Sequence, residues 1–227
     1  MKGYPLRDWP ALVVSGLFHP LLMPTYMLTI LLLVNPFLFG VNGISEPLAR
    51  QTIVMVFLYT CFIPLISVTI MLGLGMVDSL MLEDRMERIG PYLLVLVLYL
   101  WVYYNFAKNG QVPTAFVAFL LGIVIALGLT FFINVFSKIS AHAVGMGGLT
   151  GMVLLTMLLF GPGAMVLPLG PLGNWSLSLS LLLLLTILIS GLVGTSRLWL
   201  KAHVSIDIYG GFLVGFVSQL VALRYYF

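Results

Sequence analysis

The stretch from Ser196 to Asp207 reads SRLWLKAHVSID and holds an arginine, a lysine, a histidine and an aspartate inside an otherwise apolar chain. If a helix starts near Ala202, His203 and Asp207 stand four residues apart on one of its faces. A carboxylate so placed accepts a hydrogen bond from one imidazole nitrogen, fixes the tautomer, and leaves the other nitrogen free as nucleophile or base. Arg197, just upstream, supplies a planar fork of donors suited to phosphate oxygens. A second group, KISAHAVG, puts Ser140 where it N-caps the next helix, with His142 in the first turn and Lys138 adding positive charge. A capped helix start offers backbone N–H groups to an anion, and His142 is placed to give a proton. A third group, EDRMERIGPY, sets Arg85 and Arg88 on one helical face ahead of Pro91. Together these residues can stabilise a trigonal-bipyramidal phosphoryl group and pass it through a histidine. No carboxylate cage of the kind that holds magnesium stands out, so the chemistry expected is metal-free, with no cofactor.

The elements that must position these residues are membrane helices. The 227 residues are 61% hydrophobic and 7% charged, against roughly a quarter charged in a soluble domain, so the chain reads as an integral membrane protein. One compositional regime runs throughout without a polar linker, which predicts a single domain over residues 1–227. Stretches of about 20 apolar residues cross a bilayer. Seven fit: Ala11 to Val34, Thr52 to Met76, Tyr92 to Ala107, Thr114 to Val135, Ala143 to Phe160, Leu177 to Leu192 and Val204 to Leu223. The third is short, and Pro20 and Pro24 interrupt the first, so six full crossings plus a re-entrant or interfacial helix is the alternative. The expected fold is an all-α polytopic transmembrane bundle of six to seven helices with its site at one membrane face. The run after Lys2 and Arg7 is too long for a signal-peptide core and lacks a small-x-small cleavage site, so it reads as a retained helix. Asp78, Glu83, Asp84, Arg85, Glu87 and Arg88 follow the second span, Lys138 and His142 the fourth, and Arg197, Lys201, His203 and Asp207 the sixth. Two crossings separate each pair of groups, which places all three on one face. The opposite loops hold Glu46, Arg50 and Lys108, with Arg224 near the C-terminal end.

The motifs resemble those of the type 2 phosphatidic acid phosphatase superfamily. Its third motif is Ser-Arg, five residues, His, three residues, Asp, and Ser196, Arg197, His203 and Asp207 fill every position. The second, Pro-Ser-Gly-His, reads Ile139-Ser140-Ala141-His142 and keeps the serine and the histidine. The 53 residues between His142 and Ser196 fall within the family's range. The first motif, Lys, six residues, Arg-Pro, is divergent: Arg88 is followed by Ile89-Gly90-Pro91, Met81 stands where the lysine belongs, and Arg85 is the alternative arginine. The resemblance covers Glu83 to Gly211 and leaves the first two spans out. It implies that His203 attacks phosphorus and becomes a phosphohistidine, oriented by Asp207. It implies too that His142 protonates the leaving oxygen and then activates water, while Arg197, Ser140, Ser196 and Arg88 serve the phosphate. Lys138 joins them by proximity alone. The implied activity is hydrolysis of a phosphomonoester or pyrophosphate of a lipid, such as phosphatidate, phosphatidylglycerol phosphate or a polyprenyl pyrophosphate.

Other polar residues read as structural. Lys201 is expected to snorkel, His19 in FHPLLMP to mark a helix break or an interface, and the Tyr103-Tyr104 and Tyr225-Tyr226 pairs to form an aromatic belt. Cys61 lies in an apolar run and implies no disulfide. A net charge of +3, scattered along the chain, does not point to nucleic acid. The expected partners are a lipid phosphate and the bilayer. Sidedness has two readings. Of the ten Lys and Arg residues, Lys2, Arg7, Arg85, Arg88, Lys138, Arg197 and Lys201 lie on the motif face, which favours the cytoplasm. Setting aside the four with a part in catalysis levels that count. The resemblance implies a bacterial inner membrane with the site facing the periplasm. Two functional alternatives stay open: a phosphotransferase that passes the phosphoryl group to an alcohol, and a silent transporter or scaffold that binds anionic lipid. The lack of an inverted repeat weakens the transporter.

Overall fold

The computed structural model of the chain describes residues 5–82, 84–110, 112–160, 163–168 and 173–227. Lys2 and Glu83, residue 111, and residues 161–162 and 169–172 lie outside the described residues. The described α-helices are α1 (Trp9–Leu17), α2 (Met23–Val34), α3 (Pro47–Phe57), α4 (Ile63–Gly73), α5 (Ile89–Asn109), α6 (Thr114–Phe136), α7 (Ala141–Leu155), α8 (Leu179–Trp199) and α9 (Ser205–Tyr226). They form seven segments long and apolar enough to cross a membrane. α1 and α2 share the first, α3 and α4 the second, and α7 completes the fifth through a π-helical turn at Thr156–Phe160. The fold is an all-α polytopic bundle, with one antiparallel hairpin in which β1 (Ala164–Pro168) pairs with β2 (Asn174–Ser178).

All seven segments are long and apolar enough for a full crossing, which favours seven over the six-plus-one alternative. The third begins at Ile89 and runs 21 residues, because Pro91 sits in its first turn, where a missing N–H breaks no helical bond. The sixth extends to Trp199, seven residues past the expected end, and carries Ser196 and Arg197 near its C-terminus.

The first crossing is broken near its middle, and the reason is local. Pro20 has no N–H to give, so the helical ladder stops there. Phe18 N still donates to the Val14 carbonyl at 3.0 Å, but His19 N reaches the Gly16 carbonyl at 3.3 Å instead of Ser15, the partner an α-helix prescribes. A 3-10 turn at Pro20–Leu22 comes next, capped by His19, whose Nδ1 accepts from Leu21 N at 3.3 Å. The break leaves the Ser15 carbonyl without a helical donor.

α7 sits at the centre, packed most extensively on α9 and also on α8, α6 and α2. Glycines bring α7 and α9 together: a Cβ at Gly215 would run into the Val144 carbonyl oxygen, and one at Gly147 into that of Phe212. Close backbone approach of this kind holds helices together in lipid, where no hydrophobic force separates neighbour from solvent. Met23, Met27, Leu31, Phe116, Phe119 and Met146 fill the core, while the exposed large side chains of the outer helices, such as Leu184, Leu188 and Leu213, are apolar.

Hydrogen bonds tie the three charged groups together at one end of the bundle. Arg85 Nη1 donates to the carbonyls of Val135 and Phe136, at 3.1 and 2.7 Å. Arg88 Nη1 reaches the Ile139 carbonyl at 3.3 Å, Ser140 N the Asp207 carbonyl at 3.2 Å, and Trp199 Nε1 the Asp8 carboxylate at 3.1 Å. At the opposite end the Tyr103 and Tyr226 hydroxyls lie 2.8 Å apart, joining two crossings.

Candidate active site

α8 ends in a backbone turn that redirects the chain into α9. Lys201 N donates to the Leu198 carbonyl and Ala202 N to that of Arg197, with Lys201 at φ +54°. This is the Schellman pattern, in which the left-handed residue reverses the chain. Lys201 thus shapes the site through its backbone, while its side chain is exposed. Two residues on, His203 reaches the first turn of α9 and its Nδ1 lies 3.1 Å from Asp207 Oδ2. The same carboxylate oxygen accepts from Val204 N at 3.3 Å. Because a carboxylate accepts only, Nδ1 carries the proton and the lone pair of His203 is on Nε2.

His203 lines a cavity of about 390 Å³ together with Arg88, Arg197, His142, His19, Ser15 and Tyr92. Its lining carries two guanidinium groups and three imidazoles, and no carboxylate among the described residues. Asp207 stands behind His203, out of the lining. Such a site attracts an anion with several oxygens. Burial pushes the His203 pKa down to about 4; the Asp207 hydrogen bond and charge oppose that, and the Arg88 and Arg197 charges add to it. The imidazole is neutral at pH 7 and its lone pair is available.

Two cavity residues are held by the first crossing, which the motifs do not touch. His142 Nε2 is 3.1 Å from the Ser15 carbonyl, the oxygen freed by the break at Pro20. A carbonyl cannot donate, so Nε2 carries the hydrogen and Nδ1 is the working nitrogen of His142. Ser15 Oγ meanwhile accepts from Arg197 Nη1 at 3.3 Å. Ser15 thus aims both an acid–base group and an arginine. The His19 ring meets that of His142 edge to face, centroids 5.4 Å apart, so the histidine of the helix break also borders the site. Arg88 is buried, 6% exposed, with Nε on the Leu82 carbonyl at 2.7 Å and Nη1 on the Ile139 carbonyl at 3.3 Å.

Other expected phosphate ligands stand elsewhere. Arg85 caps the C-terminal carbonyls of α6 and is exposed, so that helix end uses its donors. Ser140 is fully buried as the N-cap of α7, its Oγ accepting from Ala143 N at 3.4 Å. Ala141 and His142 face the cavity in its place. Ser196 donates its hydroxyl to the Leu192 carbonyl at 2.8 Å, inside its own helix. Lys138 is half-buried in the α6–α7 connection and is not among the lining residues. Sequence reasoning missed Ser15, His19 and Tyr92. The available signal was a serine and a histidine inside an apolar crossing, where polar groups are costly unless they face a site or a partner.

Comparison of the chain with protein-family models, with curated proteins and with solved structures gave no match in any of the three.

Proposed function

We propose that the chain is a metal-independent membrane enzyme that hydrolyses a phosphomonoester or pyrophosphate of a lipid through a phosphohistidine. The observation that carries this reading is the His203–Asp207 pair at 3.1 Å, opening on a cavity that also holds Arg88, Arg197 and His142. The resemblance to type 2 phosphatidic acid phosphatases agrees with it at four residues of the third motif. The phosphoryl group binds carrying one proton, which passes to His142 Nδ1. His203 Nε2 then forms a bond to phosphorus as the bond to the lipid oxygen breaks, and that oxygen leaves with the proton from Nδ1. Water then gives a proton back to His142, attacks phosphorus, and breaks the P–N bond to release inorganic phosphate. Arg88 and Arg197 hold the equatorial oxygens, where charge builds in the transition state. An apolar bundle with this site at one end suits a substrate that arrives from the bilayer. We place the site on the periplasmic side of a bacterial inner membrane.

The test is phosphate release by purified protein in detergent from phosphatidate, phosphatidylglycerol phosphate and a polyprenyl pyrophosphate, with EDTA present. Release from at least one is expected. A strict need for added magnesium would assign metal binding to the acidic residues Asp78, Glu83 and Asp84. Transfer to an added alcohol in preference to water would make the protein a phosphotransferase. Lipid binding without turnover would make it a scaffold. His203→Ala is expected to release nothing; activity within about tenfold of wild type overturns the nucleophile assignment.

A further inference from the structure

The cavity has a second polar feature, far from the phosphate end. Gln219 lies on α9 twelve residues beyond Asp207, about 18 Å further along the helix axis at 1.5 Å per residue. It is 1% exposed and lines the same cavity as His203 and Arg197. Between the two ends the lining is apolar, with Met27, Val68, Val95, Ile123 and Leu127. Neither Oε1 nor Nε2 of Gln219 has a hydrogen-bond partner among the described residues. Two other polar side chains lining the cavity are satisfied: Thr130 Oγ1 donates to the Ala126 carbonyl at 2.7 Å, and the Tyr99 hydroxyl to that of Thr60 at 2.7 Å. The space for the amide is specific, since a Cβ on Gly122 would collide with it. A buried amide with both atoms unsatisfied is costly in an apolar interior, and the cost is offset when a ligand supplies the missing partner.

We propose that the lipid's chain enters the bundle through this cavity, and that Gln219 selects chains bearing a hydroxyl well removed from the phosphate. A hydroxyl can accept from Nε2 and donate to Oε1, the two atoms left open. A plain hydrocarbon chain leaves both unmet. This inference rests on the phosphate reading of the arginine–histidine end.

The test uses hexadecylphosphonate and its isomers with one hydroxyl walked along the chain, none of which can be hydrolysed at a P–O–C bond. Binding to the purified full chain is read by calorimetry and by thermal shift. One position, in the half of the chain remote from the phosphonate, is expected to bind about tenfold tighter than the plain compound. In Gln219→Leu that preference is expected to vanish while the plain compound binds at least as well. If every isomer binds the wild type no better than hexadecylphosphonate, Gln219 holds water alone and the inference falls, leaving the phosphate reading intact. If no phosphonate binds, the phosphate reading falls and takes this inference with it. The wild-type series decides even if the variant does not fold.

Discussion

His142 and His203 are both imidazoles, yet their hydrogen bonds give them opposite working nitrogens and different tasks. His203 has Nδ1 on a carboxylate and Nε2 toward the cavity, whereas His142 has Nε2 on the Ser15 carbonyl. Their variants should fail differently. An aryl phosphate needs little protonation to expel its leaving group, so His142→Ala is expected to be phosphorylated by it and then to stall, since water attack still needs the base. Radiolabel mapped to His203 in that variant, and absent from His203→Ala, supports the division; label on His142 reverses it. A second residue-scale expectation concerns pH. Burial sets the folded value for His203 below the ordinary 6.5, at about 4, so the ring stays neutral as pH falls through 6.5 and gains its proton only near 4. NMR of labelled histidines, assigned with His203→Gln, is expected to show that low titration; a midpoint near 6.5 would mean a solvated ring. Asp207→Ala removes the bond and charge that raise the value and should move the midpoint lower still. The two arginines of the first group also separate. Arg88→Ala is expected to cost kcat/KM about a hundredfold, as loss of a transition-state donor does. Arg85→Ala should leave it within a few-fold and lower Tm, because what it loses is the cap on α6. The reverse order would move the phosphate site to Arg85.

At the scale of elements, the break in the first crossing decides which carbonyl His142 finds. Pro20→Ala returns an N–H to position 20, which lets Gly16 take it and lets His19 N return to the Ser15 carbonyl in place of His142. Activity is expected to fall by tenfold or more, on the order of what misplacing a catalytic group costs, with Tm unchanged or raised. Full activity with a higher Tm would show that His142 does not depend on Ser15. This is also where the sequence stops being legible. The pairing of His203 with Asp207 could be read from their spacing, although the helix starts at Ser205 and not near Ala202. Asp207 in its first turn reaches back past Val204 to a histidine outside the helix. The part of Ser15 comes from a missing N–H five residues away and from the docking of α1 against α8, which brings its carbonyl to His142 of α7, and no local pattern encodes that. Ser140 and Ser196 misled for the converse reason: both hydroxyls sit at the right sequence positions, and both are engaged by their own helices. The crossings were legible as apolar runs, while their ends shifted wherever a proline in the first turn or a backbone turn at Lys201 set the boundary. The pairing of Ala164–Pro168 with Asn174–Ser178 lies in a stretch rich in Gly and Pro, where no alternating pattern announces strands.

Across the whole molecule, seven crossings put the start of α1 and the end of α9 on opposite faces. Asp8 bonds Trp199 at the site end, while Tyr226 lies at the other. With the site in the periplasm, a fluorescent reporter fused after Phe227 is expected to be cytoplasmic and to fluoresce, and a secreted phosphatase reporter at the same point to be inactive. The opposite pattern turns the site toward the cytoplasm, in agreement with the count of Lys and Arg. Ser15, held at once by Arg197 and His142, has a consequence for transplantation. Residues Glu83 to Gly211 carry every motif position, yet a graft of that segment onto another bundle would import the histidines and arginines without the hydroxyl and the carbonyl that steer them. The site's heritable unit is larger than its signature, and a chimera meant to move this chemistry has to carry the first crossing, bend included.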